Sequence, residues 1–115
     1  MTSFFEITED TFQQEVLSSV EPVLLEFGAP WCVPCRNLEP ILTQLSSGVW
    51  AGKVRLLKVN VDECPGLVNR FSVMTVPTLI LFVSGQPVER LTGLQTTAKI
   101  TQKLDPYITS PASRA

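Results

Sequence analysis

Short apolar runs alternate along this chain with segments in which hydrophobic residues recur at wider, helical spacing. The apolar runs are typical of strands and the wider spacing is typical of helices. The runs that predict strands are residues 4–7, 23–27, 54–61, 78–83 and 88–91. A first helix is predicted between the first two runs, with Phe12, Val16 and Val20 on one face and Thr8 or Asp10 as its N-cap. Strands and helices that alternate in this way indicate an α/β fold.

Proline affects two of the remaining predicted helices. A long helix is expected to begin near Trp31, and Pro40 inside it should kink it, because proline removes one backbone hydrogen bond. One side of this helix is apolar and consists of Cys35, Leu38, Leu42 and Leu45. Residues 65–71 predict a short helix, and the last helix, near residues 100–104, is expected to end early at Pro106.

One α/β domain is expected, residues 1–108, in which helices cover both faces of a central mixed sheet. We expect this sheet to be mostly parallel, with an antiparallel hairpin that turns at residues 84–86. The continuous apolar run at residues 23–27 is typical of a central strand covered on both faces. Residues 109–115 have little apolar surface to bury and are expected to form a flexible C-terminal tail.

The composition excludes several classes of function. The net charge is −2 and no basic stripe is present, which argues against nucleic acid or an anionic membrane as the main partner. The chain contains no histidine, so a Cys-His or Ser-His catalytic pair and a histidine-ligated metal centre are both excluded. Its three cysteines are too few for a structural zinc site, and we expect no bound metal.

The N-terminus lacks the basic segment and the long apolar stretch of a signal peptide, and no apolar run is long enough to span a bilayer. We therefore expect a cytoplasmic protein, with an organellar stroma or matrix as the alternative. In such a reducing compartment a pair of cysteines is more often catalytic than structural.

The most informative motif is Trp31-Cys32-Val33-Pro34-Cys35, directly after the central apolar run. It places two cysteines in the first turn of a predicted helix, where free amide N–H groups and the helix dipole favour negative charge. A cysteine in such a position loses its proton more readily than a free thiol. Cys32 is therefore predicted to be a reactive thiolate near neutral pH, and Cys35, one turn further on, can close onto it.

This motif resembles that of the thioredoxin family, which is usually Trp-Cys-Gly-Pro-Cys. Three further segments support the resemblance. Val76-Pro77-Thr78 is similar to the family's cis-proline segment, Gly93 to its later glycine, and residues 58–62 to its third strand. The resemblance extends from about residue 4 to about residue 108. It implies the thioredoxin fold and a cis peptide bond before Pro77.

The resemblance also implies a protein-disulfide reductant that works by dithiol–disulfide exchange. Cys32 would attack a disulfide of a partner protein, and Cys35 would then attack Cys32 and release the reduced partner. The Cys32–Cys35 disulfide would be the only redox group, so no cofactor is expected. The implied partners are a thioredoxin reductase or an equivalent electron donor and disulfide-containing target proteins, and we expect a monomer.

Two alternatives stay open, because a fold alone does not determine function. A protein-disulfide oxidant or isomerase would use the same fold, and a non-redox module would use the apolar surface to bind a partner. The lack of a secretory signal argues against the oxidant, and the presence of both cysteines argues against the binding module.

Glu26 is the candidate base that removes the proton of Cys35. It is a carboxylate in an otherwise apolar strand, and desolvation should raise its pKa. The family typically has aspartate here; the longer glutamate is expected to approach Cys35 or to fold toward Lys58. Lys58 is assigned a supporting role, since a buried Glu26–Lys58 pair would keep the carboxylate ionised. The alternative is that Glu26 turns to a solvated cleft or edge and has no catalytic role.

A mostly apolar rim is expected around Cys32 as the substrate-binding surface. The resemblance assigns it Trp31, Val33, Pro34, Val76, Pro77 and Gly93. The backbone at Val76 is expected to pair with an extended target segment; the alternative is that Trp31 and Val76 only cover the core. Two residues depart from the family pattern: Val33 replaces a glycine, and Gly28 stands where tryptophan is common. Cys64 is expected to be a quiet thiol, with a regulatory thiol as the alternative.

Overall fold

The computed structural model describes residues 4–109 of the chain. These residues form five strands, β1 (Phe5–Ile7), β2 (Val23–Gly28), β3 (Arg55–Asn60), β4 (Thr78–Val83) and β5 (Gln86–Thr92). They also form three α-helices, α1 (Val33–Ser47), α2 (Pro65–Arg70) and α3 (Thr97–Ile108). A π-helical segment, Gln13–Leu17, lies where the first helix is predicted. The order of strands and helices is therefore the predicted one.

The strands form one mixed sheet in the order β1-β3-β2-β4-β5. β1 and β2 both run parallel to β3, whereas β4 is antiparallel to β2 and to β5. The predicted mixed sheet and its C-terminal hairpin are confirmed. Four of the five strands, β1, β2, β3 and β5, therefore run in one direction and β4 runs against them, so the expected mostly parallel sheet with an antiparallel hairpin is confirmed. The antiparallel pairing of β4 with β2 was not predicted. A continuous apolar run indicates a buried strand but carries no information on the direction of that strand.

β2 is the central strand, and all of its residues are buried. Its side chains alternate between the two faces of the sheet. Val23, Leu25 and Phe27 belong to one core, which also contains residues of the π-helical segment and α2. Leu24 belongs to a second core, formed with α1 and α3. Two residues beyond Leu24, Glu26 lies on the α1 side of the sheet.

Two details of the predicted helices are wrong. Phe12 and Val16 are buried as expected, but Val20 is 97% exposed because the π-helical segment ends before it. Pro106 does not end α3 early, since it lies inside that helix, which continues to Ile108. The apolar side of α1 is buried as predicted.

Of the predicted tail, only Thr109 is described, and residues 110–115 lie outside the described residues. Thr109 is the C-cap of α3, and its backbone N–H donates a hydrogen bond of 2.9 Å to the carbonyl of Asp105. The flexible tail stays a prediction. Among residues 4–109, no helix combines the length and the apolar character needed to cross a membrane.

Candidate active site

The dithiol motif lies at the junction between β2 and α1. Cys32 is the N-cap of α1, and Pro34 occupies the first turn, where a proline costs no backbone hydrogen bond. Cys32 and Cys35 form a disulfide, with Cα atoms 5.3 Å apart. The backbone N–H of Cys35 donates a hydrogen bond of 3.2 Å to Sγ of Cys32. This N–H would stabilise negative charge on Cys32 once the disulfide is opened.

The disulfide lies next to exposed side chains of its own motif. Both cysteines are buried, whereas Trp31 is 63% exposed and Val33 and Pro34 are also exposed. The interpretation that Trp31 only covers the core is therefore wrong. The structure instead places three exposed apolar side chains next to the two buried cysteines in the chain.

Asp62 fixes the orientation of Trp31. The indole Nε1–H of Trp31 donates a hydrogen bond of 2.8 Å to Oδ2 of Asp62. Asp62 follows β3, and its own backbone N–H donates to Oδ1 of Asn60 at 3.0 Å. The role of Asp62 was not predicted from the sequence. The available signal was its position just after a strand that runs parallel to β2, because the ends of both strands meet at one edge of the sheet.

Pro77 and Gly93 lie together at this same edge. The Val76–Pro77 peptide bond is cis, as the resemblance implies. Because β4 pairs Thr78 with Phe27 of β2, Pro77 lies at the end of the sheet from which the dithiol motif emerges. The backbone N–H of Gly93 donates a hydrogen bond of 2.7 Å to the carbonyl of Pro77. Gly93 has a φ of 81°, a conformation that glycine adopts without strain.

An open groove of about 720 Å³ lies beside Trp31, and we call it the apolar groove. Its lining is mostly apolar and includes Trp31, Val61, Val68, Met74 and Val76. Met74 is 91% exposed. Trp31 and Val76 were predicted to share a surface, and the structure brings them together. The other three, Val61, Val68 and Met74, were not predicted, because the groove forms only when α2 and the loop after it pack beside Trp31.

Glu26 lies beneath the dithiol. Its side chain is 1% exposed, and neither carboxyl oxygen has a hydrogen-bond partner among residues 4–109. A Cβ atom on Gly28 would lie 3.1 Å from Sγ of Cys35 and 3.5 Å from Oε2 of Glu26. The thiol sulfur and the carboxyl oxygen therefore face the same small space. That space is free because residue 28 has no side chain.

A second opening of about 340 Å³ reaches Glu26 from solvent, and we call it the polar cleft. Its polar lining residues come from β1, β2, β3 and α1, and they are Glu6, Glu26, Arg36, Glu39, Lys58 and Asn60. Nζ of Lys58 lies 3.7 Å from Oε2 of Glu39. No Glu26–Lys58 ion pair forms among the described residues, so the expectation that Lys58 keeps Glu26 ionised is wrong.

Burial raises the pKa of Glu26 to about 8. The negative charge of Glu39 and a side-chain interaction with Glu39, too poor in geometry to count as an ordinary hydrogen bond, act in the same direction. The positive charge of Lys58 acts against them without compensating. The prediction of a raised pKa from desolvation is confirmed. At pH 7 the Glu26 carboxyl group is therefore mostly protonated.

Cys64, the third cysteine, is a buried free thiol. Burial, followed by the negative charge of Glu9, raises the pKa of this thiol. A buried thiol that retains its proton is a poor nucleophile, which agrees with the expected quiet residue. In the part of the chain that the structure describes, no cluster of three or more His, Cys, Asp or Glu residues could hold a metal ion.

Comparisons with known proteins identify the family. A family model described as Thioredoxin matches residues 3–106. The chain belongs to the thioredoxin family. It is 36% identical over 108 residues to thioredoxin 1 of Nostoc sp., a match that covers 94% of this chain and 100% of the relative. It is 37% identical over 102 residues to a thioredoxin of Staphylococcus haemolyticus, covering 89% of this chain and 95% of the relative.

A chloroplastic relative gives the same result. The chain is 34% identical over 102 residues to the M-type chloroplastic thioredoxin of Chlamydomonas reinhardtii, covering 89% of this chain and 72% of the relative. Thioredoxins are thiol–disulfide oxidoreductases, and this chain is a reductant that works by dithiol–disulfide exchange. The predicted fold and activity are confirmed, and the oxidant, isomerase and binding-module alternatives are not favoured. Family membership implies an electron-donating reductase and disulfide-containing targets as partners in general.

Proposed function

We propose that Cys32 attacks the disulfides of target proteins and that Cys35 resolves the mixed disulfide. The hydrogen bond from the Cys35 backbone N–H to Sγ of Cys32 supports the first role, because it stabilises the attacking thiolate. Sγ of Cys35 borders the space at Gly28, on the side of Glu26. That position supports the resolving role, since a thiol there meets a proton acceptor inside the protein.

The proposed reaction has two steps. In the first, Sγ of the Cys32 thiolate bonds to one sulfur of the target disulfide, the target S–S bond breaks, and one target thiolate forms. In the second, the Cys35 thiol gives its proton to the Glu26 carboxylate and its Sγ bonds to Sγ of Cys32. The bond between Cys32 and the target sulfur then breaks, and the target leaves as a second thiolate. Two electrons have passed from the chain to the target.

Glu26 is the proposed proton acceptor for Cys35. Its pKa of about 8 leaves a fraction of Glu26 ionised near neutral pH, and this carboxylate can accept the proton. When a reductase opens the Cys32–Cys35 disulfide, the protonated Glu26 would return a proton to Cys35. Lys58 keeps a supporting role through its charge.

The proposed docking site for a target segment is the apolar groove together with the rim around Cys32. The exposed aromatic ring of Trp31 and half-buried Val76 support it, because an exposed apolar patch is typical of a protein-binding surface. Val33, Pro34 and Gly93 complete the proposed surface, and Pro77, whose own side chain is buried, is proposed to hold the Val76 backbone in place. The backbone of Val76 would pair with an extended segment of the target.

Trapping of mixed disulfides tests the roles of the two cysteines. In a Cys64→Ser background, Cys35→Ser should accumulate targets bound covalently through Cys32, because no thiol remains to resolve them. Cys32→Ser should form no such complexes and should have no reductase activity. Equal trapping by the two variants, read by non-reducing gel and mass spectrometry, would contradict the assignment.

We further propose a monomer that works without a cofactor in the cytoplasm or a stroma and is recycled by a thioredoxin reductase. The bacterial and chloroplastic relatives support this location. The family match over residues 3–106 supports a thioredoxin domain at residues 1–108. Sedimentation of the purified protein tests the monomer, and a coupled assay with thioredoxin reductase tests the recycling.

A further inference from the structure

The polar cleft holds three carboxyl groups and a single lysine. Lys58 lies on β3, between Glu6 on β1 and Glu26 on β2, and strand register places all three residues side by side. Glu39 approaches the same lysine from α1. Sequence analysis assigned Glu39 no role, and the two-step reaction above does not use it.

The lysine contacts only one of its three acidic neighbours at ion-pair distance. Nζ of Lys58 lies 3.7 Å from Oε2 of Glu39, and both side chains are about one-third exposed. Glu26 is the register partner of Lys58, yet both of its carboxyl oxygens are without a partner among residues 4–109. Glu39, and not Glu26, therefore forms the ion pair with Lys58.

Few other charges act on Glu26. From α1, Arg36 also lines the cleft, but its guanidinium donates a hydrogen bond of 2.6 Å to the carbonyl of Pro30. From β1, Glu6 adds negative charge. The β4 residue paired with Glu26 is Leu79, which is apolar. Apart from the thiol of Cys35, the balance between Glu39 and Lys58 is the nearest electrostatic influence on this carboxyl group.

We propose that Glu39 is a positioning residue for the resolving step, because by binding Lys58 it keeps this ammonium group from pairing with the buried carboxyl group of Glu26. The proposal rests on the role of Glu26 given above. It assigns to Glu39 control over the pH at which Glu26 can accept the proton of Cys35. An opposite charge close by favours the ionised carboxylate, and a like charge disfavours it. Glu39 acts through the lysine it binds, through its own charge, and through a side-chain interaction with Glu26 that also raises the pKa of Glu26.

Direct titration of Glu26 tests the proposal. The protonated-carboxyl band of Glu26 is identified by infrared difference between the native protein and Glu26→Gln, and its loss is followed with pH. In Glu39→Gln, Lys58 is released, so the midpoint should fall by about one pH unit or more. The release rate of a mixed disulfide should show the same shift to lower pH. An unchanged midpoint would overturn the proposal.

A matched control removes a comparable carboxylate elsewhere. Glu89 on β5 pairs with Lys103 on α3 at 3.5 Å, outside the polar cleft. Glu89→Gln changes the net charge as Glu39→Gln does, and the Glu26 midpoint should stay at its native value. A shift of equal size in this control would show that Glu39 acts only through net charge, which would contradict the proposal.

The lysine variant separates capture of the lysine from the other ways in which Glu39 can act. Lys58→Gln should raise the midpoint of Glu26, and adding Glu39→Gln to it should then have a smaller effect than Glu39→Gln alone. If Glu39→Gln has the same effect with and without Lys58, capture of the lysine is not the cause and the proposal fails. If Glu26 is not the base, the results would differ from these. Glu26→Gln would then release mixed disulfides at the native rate, whereas Glu39→Gln would still shift the titration midpoint of Glu26.

Discussion

The indole of Trp31 is tied to the carboxylate of Asp62 by a hydrogen bond of 2.8 Å. An exposed ring would ordinarily sample several orientations, and each orientation lost on target binding would reduce the affinity. The carboxylate holds the ring at the edge of the apolar groove before a target arrives. The contact thus links the end of β3 to the surface next to Cys32.

Asp62→Ala should weaken target binding and leave the exchange chemistry intact. Loss of one charge-assisted hydrogen bond at the surface is worth about 1 kcal/mol, so KM for a protein disulfide should rise about fivefold while kcat changes little. Asp62→Asn retains a hydrogen-bond acceptor, so its KM should lie between that of the native protein and that of Asp62→Ala. Steady-state reduction of a protein disulfide gives both constants, and a fall in kcat at unchanged KM would argue against this role.

Glu26→Gln should slow release of the mixed disulfide near neutral pH. Glutamine has nearly the same shape but cannot accept the proton of Cys35, and loss of a general base costs about 100-fold or more. The first step, attack by Cys32, should be unaffected. Rapid-quench measurement of both steps with one target checks this. A native rate of release in Glu26→Gln would return Glu26 to a purely structural role.

Glu26 should also make the fold less stable as pH rises. Its pKa is about 8 in the folded chain against 4.5 for the ordinary group, so the folded state holds the proton more tightly than the unfolded state. Protonated Glu26 therefore makes its full contribution to the free energy of unfolding below pH 4.5. This contribution is lost as pH rises toward about 8, and the free energy of unfolding falls by roughly 1 kcal/mol per pH unit.

Urea unfolding of the oxidised protein measures this effect. The free energy of unfolding of Glu26→Gln, minus that of the native protein, should increase between about pH 5 and pH 8 and then level off. Carboxyl groups that do not interact with Glu26 titrate alike in both proteins, so their contribution cancels in the difference. A difference that does not change with pH would contradict the raised pKa of Glu26.

Gly28→Ala should slow the resolving step. The new methyl carbon would lie 3.1 Å from Sγ of Cys35 and 3.5 Å from Oε2 of Glu26, in the space that the proton must cross. Release of the mixed disulfide should become about 10-fold slower, while attack by Cys32 stays native. Gly48→Ala is the control, because its Cβ is equally close to a neighbour, 3.1 Å from the Gln44 carbonyl, but lies at the far end of α1. If Gly48→Ala slowed release of the mixed disulfide as much as Gly28→Ala, the space beside Gly28 would have no specific role in the resolving step.

Much of the fold follows from local signals. The buried run at β2, the dithiol at the start of a helix and the turn before β5 each depend on residues that are adjacent in the chain. The direction of β4 cannot be inferred from adjacent residues, because it depends on which strand of the sheet this segment joins. Pro106 was misjudged for a related reason: Leu104 and Ile108 are buried against the sheet, and their packing holds the last turn of α3 together.

Some features of the candidate site can also be predicted from the sequence, and others cannot. The reactive cysteines and the raised pKa of Glu26 follow from the motif and from burial, both of which can be inferred from sequence. The partner of Lys58 cannot be inferred in this way, since Glu6, Glu26 and Glu39 come from three different elements and only their packing decides which one reaches it. Asp62 was missed because its role lies in a contact with a residue 31 positions away.

The two openings at the dithiol lie on opposite faces of the sheet. Val61, Val68 and Val73 of the apolar groove pack into the core on one face, whereas Glu26 and the polar cleft lie on the α1 side. A target that fills the groove therefore leaves the cleft in contact with bulk water. With targets docked as proposed, hydrogen ions and protein substrates would enter by separate routes, so the internal carboxyl group could re-equilibrate with the medium while a client is still covalently attached.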